Sequence, residues 1–323
     1  STHSYILFFT DKGKCYRVKV HEVPQGGRLA KGKAMVNLLE MSREENIAAY
    51  IPVADFDADC YLTMTTRKGL IKKTHLSKYS NVHRGGIIAI KLRDDDGLIT
   101  AKLTSGADDI ILAKRDGKAI RFNEKEVRPM GRNSAGVKGV TCKGDDEVVE
   151  MVVVKRESAI LAVTENGFGK RTKISDFRNK HRGGQGVALI PASGRNGPVV
   201  AAREVIETDE VMMITRNGMI IRCPVRGISV IGRQAQGVKV INLNKGDALV
   251  DVALLAGEKD DNGSEDAGLE MDDDLMDSEV QEIAEEVAEE AEEEEKAKPA
   301  KKKKAKSKSK KKPAAGKKGK GGK

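Results

Sequence analysis

Ten cations hold one register along this 323-residue chain. Arg17, Lys73, Arg121, Arg171 and Arg222 each stand four residues after a glycine: Gly13, Gly69, Gly117, Gly167 and Gly218. Arg28, Arg132, Arg182 and Arg233 each stand four residues before a second glycine (Gly32, Gly136, Gly186, Gly237), and Arg84 stands two before Gly86 in a shorter copy. The chemistry open to such a set is anion binding, with an arginine fork beside glycine backbone N–H groups that a phosphate can approach closely. A single base of this kind more often serves as a solvated edge charge that discourages strand pairing. Ten in register, without matched acids, read as an anion track.

The cations are positioned by a repeat. The first glycines step by 56, 48, 50 and 51 residues, and a period near 50 points to stacked supersecondary units. Around each first glycine two apolar, β-branched runs, such as ILFFT and CYRVKV, flank a turn sequence, which is a hairpin signal. A third strand is expected after the arginine loop (MVNLL, IIAIKL, VKGVTC, VALI, VKVINL). A fourth is expected at 47–53, 98–103, 148–154, 199–205 and 249–255. Four strands per unit, five times over, predict an all-β, propeller-like fold of about five four-stranded blades over residues 1–257. Alternation in the second strand places Ala119 and Arg121 on one face and Ile120 and Phe122 on the other, so the strand-two bases are expected on the outward rim and the hairpin glycines at perimeter turns.

Composition bounds the function classes. The net charge of +9 hides three blocks: 20 acids and one base over 258–295, 15 lysines and no acid over 296–323, and therefore 42 bases against 29 acids, or +13, over 1–257. A body that positive points to a polyanionic partner. The acidic linker is expected to be disordered, with a possible short helix from Ser278, and the Lys-rich end is expected to be disordered and to bind polyanions without specificity. No apolar run nears the 18 or so residues that span a bilayer, so no membrane role is expected. Cys15, Cys60, Cys142 and Cys223 lack disulfide or metal spacing and read as reduced core thiols, which with the lack of a leader implies the cytoplasm. His83 and His181 precede equivalent arginines, but two histidines in five repeats make no metal site, and no clustered His, Asp and Glu suggests catalysis. Neither phosphate-binding glycine fingerprint is present.

The stretches ILFFTDKGKCYRVKV, KAMVNLLEM, KKTHLSKY, AIKLRDDDGLI, VRPMGRNSAGVKGV, NGFGKRT and ISVIGRQAQGV resemble the C-terminal DNA-wrapping domain of bacterial DNA gyrase A subunits, over about four-fifths of the chain. The resemblance implies a β-pinwheel, duplex DNA as partner, bending without base readout around a basic rim, and assembly with the gyrase B subunit in an A2B2 enzyme. That enzyme introduces negative supercoils using ATP and Mg2+ held on other domains. No cofactor, metal or catalytic residue is implied for this part. The family's box, Q-R-R-G-G-x-G, has its nearest match in Lys180-His181-Arg182-Gly183-Gly184-Gln185-Gly186, which lacks the Gln and the first Arg. A box-bearing repeat and a cleavage domain are therefore expected upstream of Ser1, and this piece is expected to bend DNA without supporting supercoiling. With ten phosphates neutralised, a log-log salt slope of about −9 is expected. The C-terminal domain of the topoisomerase IV A subunit is the alternative within the family. A protein-interaction propeller fits the strand count, but not the charge or the missing Trp-Asp signature.

Overall fold

The computed structural model describes residues 2–26, 32 and 34–255. The chain divides into two units, Ser1–Lys259 and Asp260–Lys323, and every described residue lies in the first. Arg28, the possible helix from Ser278 and both charged blocks of the tail lie outside the described residues. Among the described residues there are 19 strands, six short 3-10 turns and no α-helix. No helix there is long and apolar enough to cross a membrane.

Repeat one supplies β1 (Tyr5–Thr10), β2 (Lys14–Lys19) and β3 (Ile47–Val53). Repeat two supplies β4 (Tyr61–Thr66), β5 (Leu70–His75), β6 (Ile87–Ile88) and β7 (Leu98–Thr104). Repeat three supplies β8 (Asp109–Lys114), β9 (Lys118–Asn123), β10 (Val137–Lys138) and β11 (Val148–Val154). Repeat four supplies β12 (Ala159–Thr164), β13 (Phe168–Lys173), β14 (Val187–Ala188) and β15 (Val199–Val205). Repeat five supplies β16 (Glu210–Thr215), β17 (Ile220–Pro224), β18 (Val238–Lys239) and β19 (Leu249–Leu255). The segment MVNLL is a 3-10 turn, Met35–Asn37, rather than a strand.

Five sheets form as five blades, in the orders β3-β1-β2-β6, β7-β4-β5-β10, β11-β8-β9-β14, β15-β12-β13-β18 and β19-β16-β17. The innermost strands β3, β7, β11, β15 and β19 pack side by side in that sequence. Each outermost strand is two residues long and comes from the following repeat: Ile87 and Ile88 pair with Cys15 and Lys14, and Val137 and Val187 pair with Ile71 and Ala119. The expected third strand therefore belongs to the preceding blade. Among the described residues nothing follows repeat five to complete its sheet, so the last blade has three strands.

The swap accounts for the glycine pairs. Gly117 has φ +81°, and a Cβ there would lie 2.0 Å from the carbonyl oxygen of Ile190, which follows the incoming strand β14. The second glycine makes the reciprocal approach: Gly136 has φ +88°, and its Cβ would lie 2.5 Å from the carbonyl oxygen of Ile71 on the blade that receives β10. Only glycine combines positive φ with so near a backbone. The hairpin glycines of blades one to four are consequently buried beneath the next repeat, whereas Gly218 is exposed.

The core lies between blades. Leu7, Phe9 and Cys15 of the first blade meet Leu62, Met64 and Tyr79 of the second, and Ile111, Ala113 and Ala119 of the third meet Ile160, Ala162 and Phe177 of the fourth. Because blades two to four are covered on both faces, their strands read as continuous apolar runs, as in AILAV, instead of alternating. The outer face of blade one, with Phe8, Tyr16 and Val18, is covered by Met35, Leu38, Leu39 and Met41 of its own repeat. All four cysteines are free, and burial raises the thiols, that of Cys142 to about 11.

Candidate nucleic-acid interface

The nine registered cations among the described residues separate into two tiers, divided by the loop that the following repeat lays over strand two. That loop runs from a 3-10 turn, past the second arginine, to the two-residue outer strand. It is bound to strand two at its start as well: Met130 N donates to Lys73 O, Lys180 N to Arg121 O and Ile231 N to Arg171 O, at 2.8 to 2.9 Å.

The strand-two bases form the inner tier. Lys73 Nζ donates to Glu124 O at 3.0 Å, lies 3.5 Å from the Glu124 carboxylate and sits 5.0 Å over the Tyr61 ring. Arg121 grips one Asp109 carboxylate oxygen with two nitrogens at 3.0 and 2.6 Å, and its third nitrogen donates to Ile174 O at 3.0 Å and Phe177 O at 3.2 Å. Arg171 Nε donates to Ile228 O at 2.6 Å, with Glu207 at 3.7 Å. Arg17 donates to Ser80 O and lies 4.9 Å over the Tyr5 ring. In all four the target is the 3-10 turn of the next repeat, whose carbonyls would otherwise be orphaned against the neighbouring blade. These are charge-assisted staples between blades.

This corrects two expectations. Lys73, Arg121 and Arg171 have acidic partners, and the covered bases do not point freely outward: the side chains of Lys73 and Arg171 are only 4% and 6% exposed. Alternation along β9 failed because both faces of that strand are covered, Ala119, Ile120 and Phe122 being fully buried. Arg222 differs. Among the described residues no following repeat covers β17, and the Arg222 side chain is 66% exposed and pairs with Glu210 of its own blade.

The loop arginines form the outer tier. Arg84 is exposed, and Arg132, Arg182 and Arg233 are half-buried. Arg182 is steadied by donating to Glu126 O at 3.1 Å and Lys138 O at 2.9 Å, and Arg233 lies 6.0 Å from the centre of the Phe177 ring. Exposed cations flank them on the same segments, among them Lys78, Arg128, Lys138, Arg178, Lys180 and Lys239. A swapped strand thus mounts each loop arginine on the outer edge of the preceding blade. The arrangement can present guanidinium groups to a chain of phosphates at intervals of one blade.

Sequence reasoning missed a further set, Lys72, Lys114 and Lys170, all buried. The available signal was register: Lys72 and Lys170 occupy the apolar-face position held by Ile120 in blade three. Against the burial that would lower it, Asp146 at 2.6 Å and Asp116 at 3.1 Å hold the Lys114 pKa above its ordinary value. Among the described residues no three His, Cys, Asp or Glu side chains are grouped to hold a metal ion.

The model of the DNA gyrase C-terminal domain, beta-propeller, matches residues 4–40, 61–105, 108–155, 159–205 and 209–256, one segment per repeat. The DNA gyrase A subunit of Salmonella typhimurium is 42% identical over 261 residues, covering 81% of this chain and 30% of that protein. A solved DNA gyrase A C-terminal domain superposes with a TM-score of 0.68 at 29% identity, covering 79% of this chain and 83% of the other. A solved C-terminal domain of DNA topoisomerase IV superposes with a TM-score of 0.74 at 27% identity, covering 79% and 80%. The chain spans about 30% of the length of the curated relatives it matches. With every repeat matched in order, the chain belongs to the family of DNA gyrase C-terminal domains with the beta-propeller fold.

Proposed function

We propose that this chain binds duplex DNA without reading its sequence and bends it around the outer loops of successive blades, as the wrapping part of a DNA gyrase A subunit. The observation that carries the reading is the repeated mounting of a loop arginine on the preceding blade. A row of guanidinium groups set by one swap geometry favours a partner that is itself a regular row of anions. Phosphates carry no base code, so such contacts hold any sequence. They favour a bent duplex because the row curves with the blades, and the extra contacts offset a bending cost of a few kcal/mol. Both the gyrase and topoisomerase IV likenesses support this part equally, and the sequence identity to gyrase A favours gyrase.

Four of the five strand-two bases are covered, so the registered cations of the described residues left open to phosphate are five: Arg84, Arg132, Arg182, Arg233 and the uncovered Arg222. The salt slope expected of the chain falls accordingly from about −9 to about −4.5. In a complete enzyme the bent segment would be handed to a cleavage domain beyond this chain. The gyrase B subunit, with ATP and Mg2+, would there drive strand passage in an A2B2 assembly in the cytoplasm, at the nucleoid. The contribution of this chain is to hold DNA in one handedness, and no step of bond cleavage falls to its residues. The test is to close a nicked plasmid with ligase in its presence. A linking difference that grows with protein is the expected result, and closure at the relaxed value despite bound protein rejects wrapping.

A further inference from the structure

Lys72 and Lys170, each the third residue after a hairpin glycine, are wholly buried, and the phosphate contacts proposed above do not use them. A buried ammonium without a counter-charge is costly. Lys114 meets that cost with two carboxylates, whereas the partners of Lys72 and Lys170 are carbonyls only. Lys72 Nζ donates to Ala89 O at 2.5 Å and to Arg132 O, and Lys170 Nζ donates to Gly232 O and Arg233 O at 2.7 Å each. Each amine thus grips the tip of the loop that bears an outer-tier arginine.

The grip alternates around the blades. At this register stand Tyr16, Lys72, Ile120 and Lys170, and the residues preceding the facing loop arginines are His83, Gly131, His181 and Gly232. Lysine therefore goes with a Gly-Arg tip, and an aromatic or aliphatic residue with a His-Arg tip. Tyr16 lies against Gly86 and Ile120 against Gly184 in the latter pair. With no side chain at 131 or 232, the tip is held through its backbone.

We propose that Lys72 and Lys170 are positioning residues of the rim: each clamps a Gly-Arg loop tip by its carbonyls, fixes where Arg132 or Arg233 meets phosphate, and exchanges a proton in step with that contact. This rests on the DNA reading of the rim. Burial, with Arg132 alongside, pushes Lys72 down to about 7, and burial with Arg233 alongside pushes Lys170 down to about 8. A phosphate on either guanidinium removes the repulsion that disfavours the buried charge, so binding takes up protons and weakens as pH rises from 7 to 9. The other titratable groups near Lys72 are Tyr79, whose hydroxyl donates to the same Ala89 O at 3.4 Å, and Cys15, which feels both Arg132 and Arg17. Burial drives both the phenol and the thiol upward, which keeps them neutral across this window. Arg233 is the charged group acting on Lys170. His83 and His181 stand in the other two loops, so a comparison of variants cancels their contribution.

The test uses the full chain with Lys72→Ile and Lys170→Ile, singly and together, isoleucine being the residue blade three already carries. Lys72→Met and Lys170→Met serve as second variants of similar length. Without DNA, amide hydrogen exchange over 129–138 and 230–239 should quicken about tenfold, as expected for losing about one charge-assisted hydrogen bond, while 179–188 stays unchanged. With a mixed-sequence duplex at fixed low salt, the wild-type chain should bind about tenfold more weakly at pH 9 than at pH 7, roughly threefold per site. The double variant should bind at pH 7 about as the wild type does at pH 9, with little further change. Unchanged exchange in both variant sets refutes the clamp. Faster exchange with the full pH difference retained refutes the positioning and proton coupling. A wild-type chain that binds no DNA refutes the rim reading, and the positioning role with it, whereas the exchange result still reports separately on the clamp.

Discussion

Arg171 and Arg222 stand at the same register, four residues past the hairpin glycine, yet the side chain of one is 6% exposed and that of the other 66%. The strands carrying them are built alike. What differs is the following repeat, which lays a loop over β13, whereas among the described residues none lies over β17. The role of a registered cation in this fold is therefore set by what covers it: under a loop it staples blades, and on an open edge it is a surface charge. The same contrast holds for the turn glycines. A Cβ at Gly117 meets the next repeat, and one at Gly218 meets nothing within 4 Å.

The largest expected effect tests that glycine contrast. Gly117→Ala should destabilise the chain by about 4 kcal/mol in urea unfolding, adding a backbone clash to the strain of positive φ. Gly218→Ala should cost only about 1 kcal/mol, the strain alone. Equal losses would show that the incoming strand does not press on the turn. Next in size, Arg171→Ala should cost about 3 kcal/mol, since it orphans a buried carbonyl at the blade interface. Arg222→Ala should fall within about 0.5 kcal/mol of wild type, because its exposed pair with Glu210 is screened by solvent.

A smaller effect appears with pH. The folded chain holds Lys72 near 7 and Lys170 near 8 against an ordinary value of 10.5, so between those limits the unfolded chain binds more protons. Stability should therefore rise with pH across that window, and the rise should shrink in Lys72→Ile with Lys170→Ile. Chemical unfolding at three pH values within that window distinguishes this from a flat response; Lys114, held above its ordinary value, would change stability only above 10.5.

Much of the fold was legible because the repeat is strong. Turn glycines, flanking apolar runs and the strands at 148–154, 199–205 and 249–255 announce themselves by spacing and by β-branched content. The swap was not legible. Val137 and Lys138 have the same composition whether they pair with their own blade or with Leu70 and Ile71 of the preceding one, and pairing partners leave no mark on local alternation. For the candidate site, register found both sets of cations, but it could not rank them as inner and outer. Arg121 reads as an outward base until Asp109 and the 174–177 turn are brought against it by the fold. Lys72 and Lys170 escaped notice because a lysine on an apolar face looks like a break in pattern, not a clamp.

The division into tiers is tested most directly by the salt dependence of duplex binding in the full chain carrying Arg84→Ala, Arg132→Ala, Arg182→Ala and Arg233→Ala together. Each phosphate contact contributes about −0.9 to the log-log slope, so removing these four of the five open arginines, which leaves Arg222, should take it from about −4.5 to about −0.9. A slope left near its wild-type value in that quadruple variant would contradict the account and return the phosphate contacts to residues outside the loop tier.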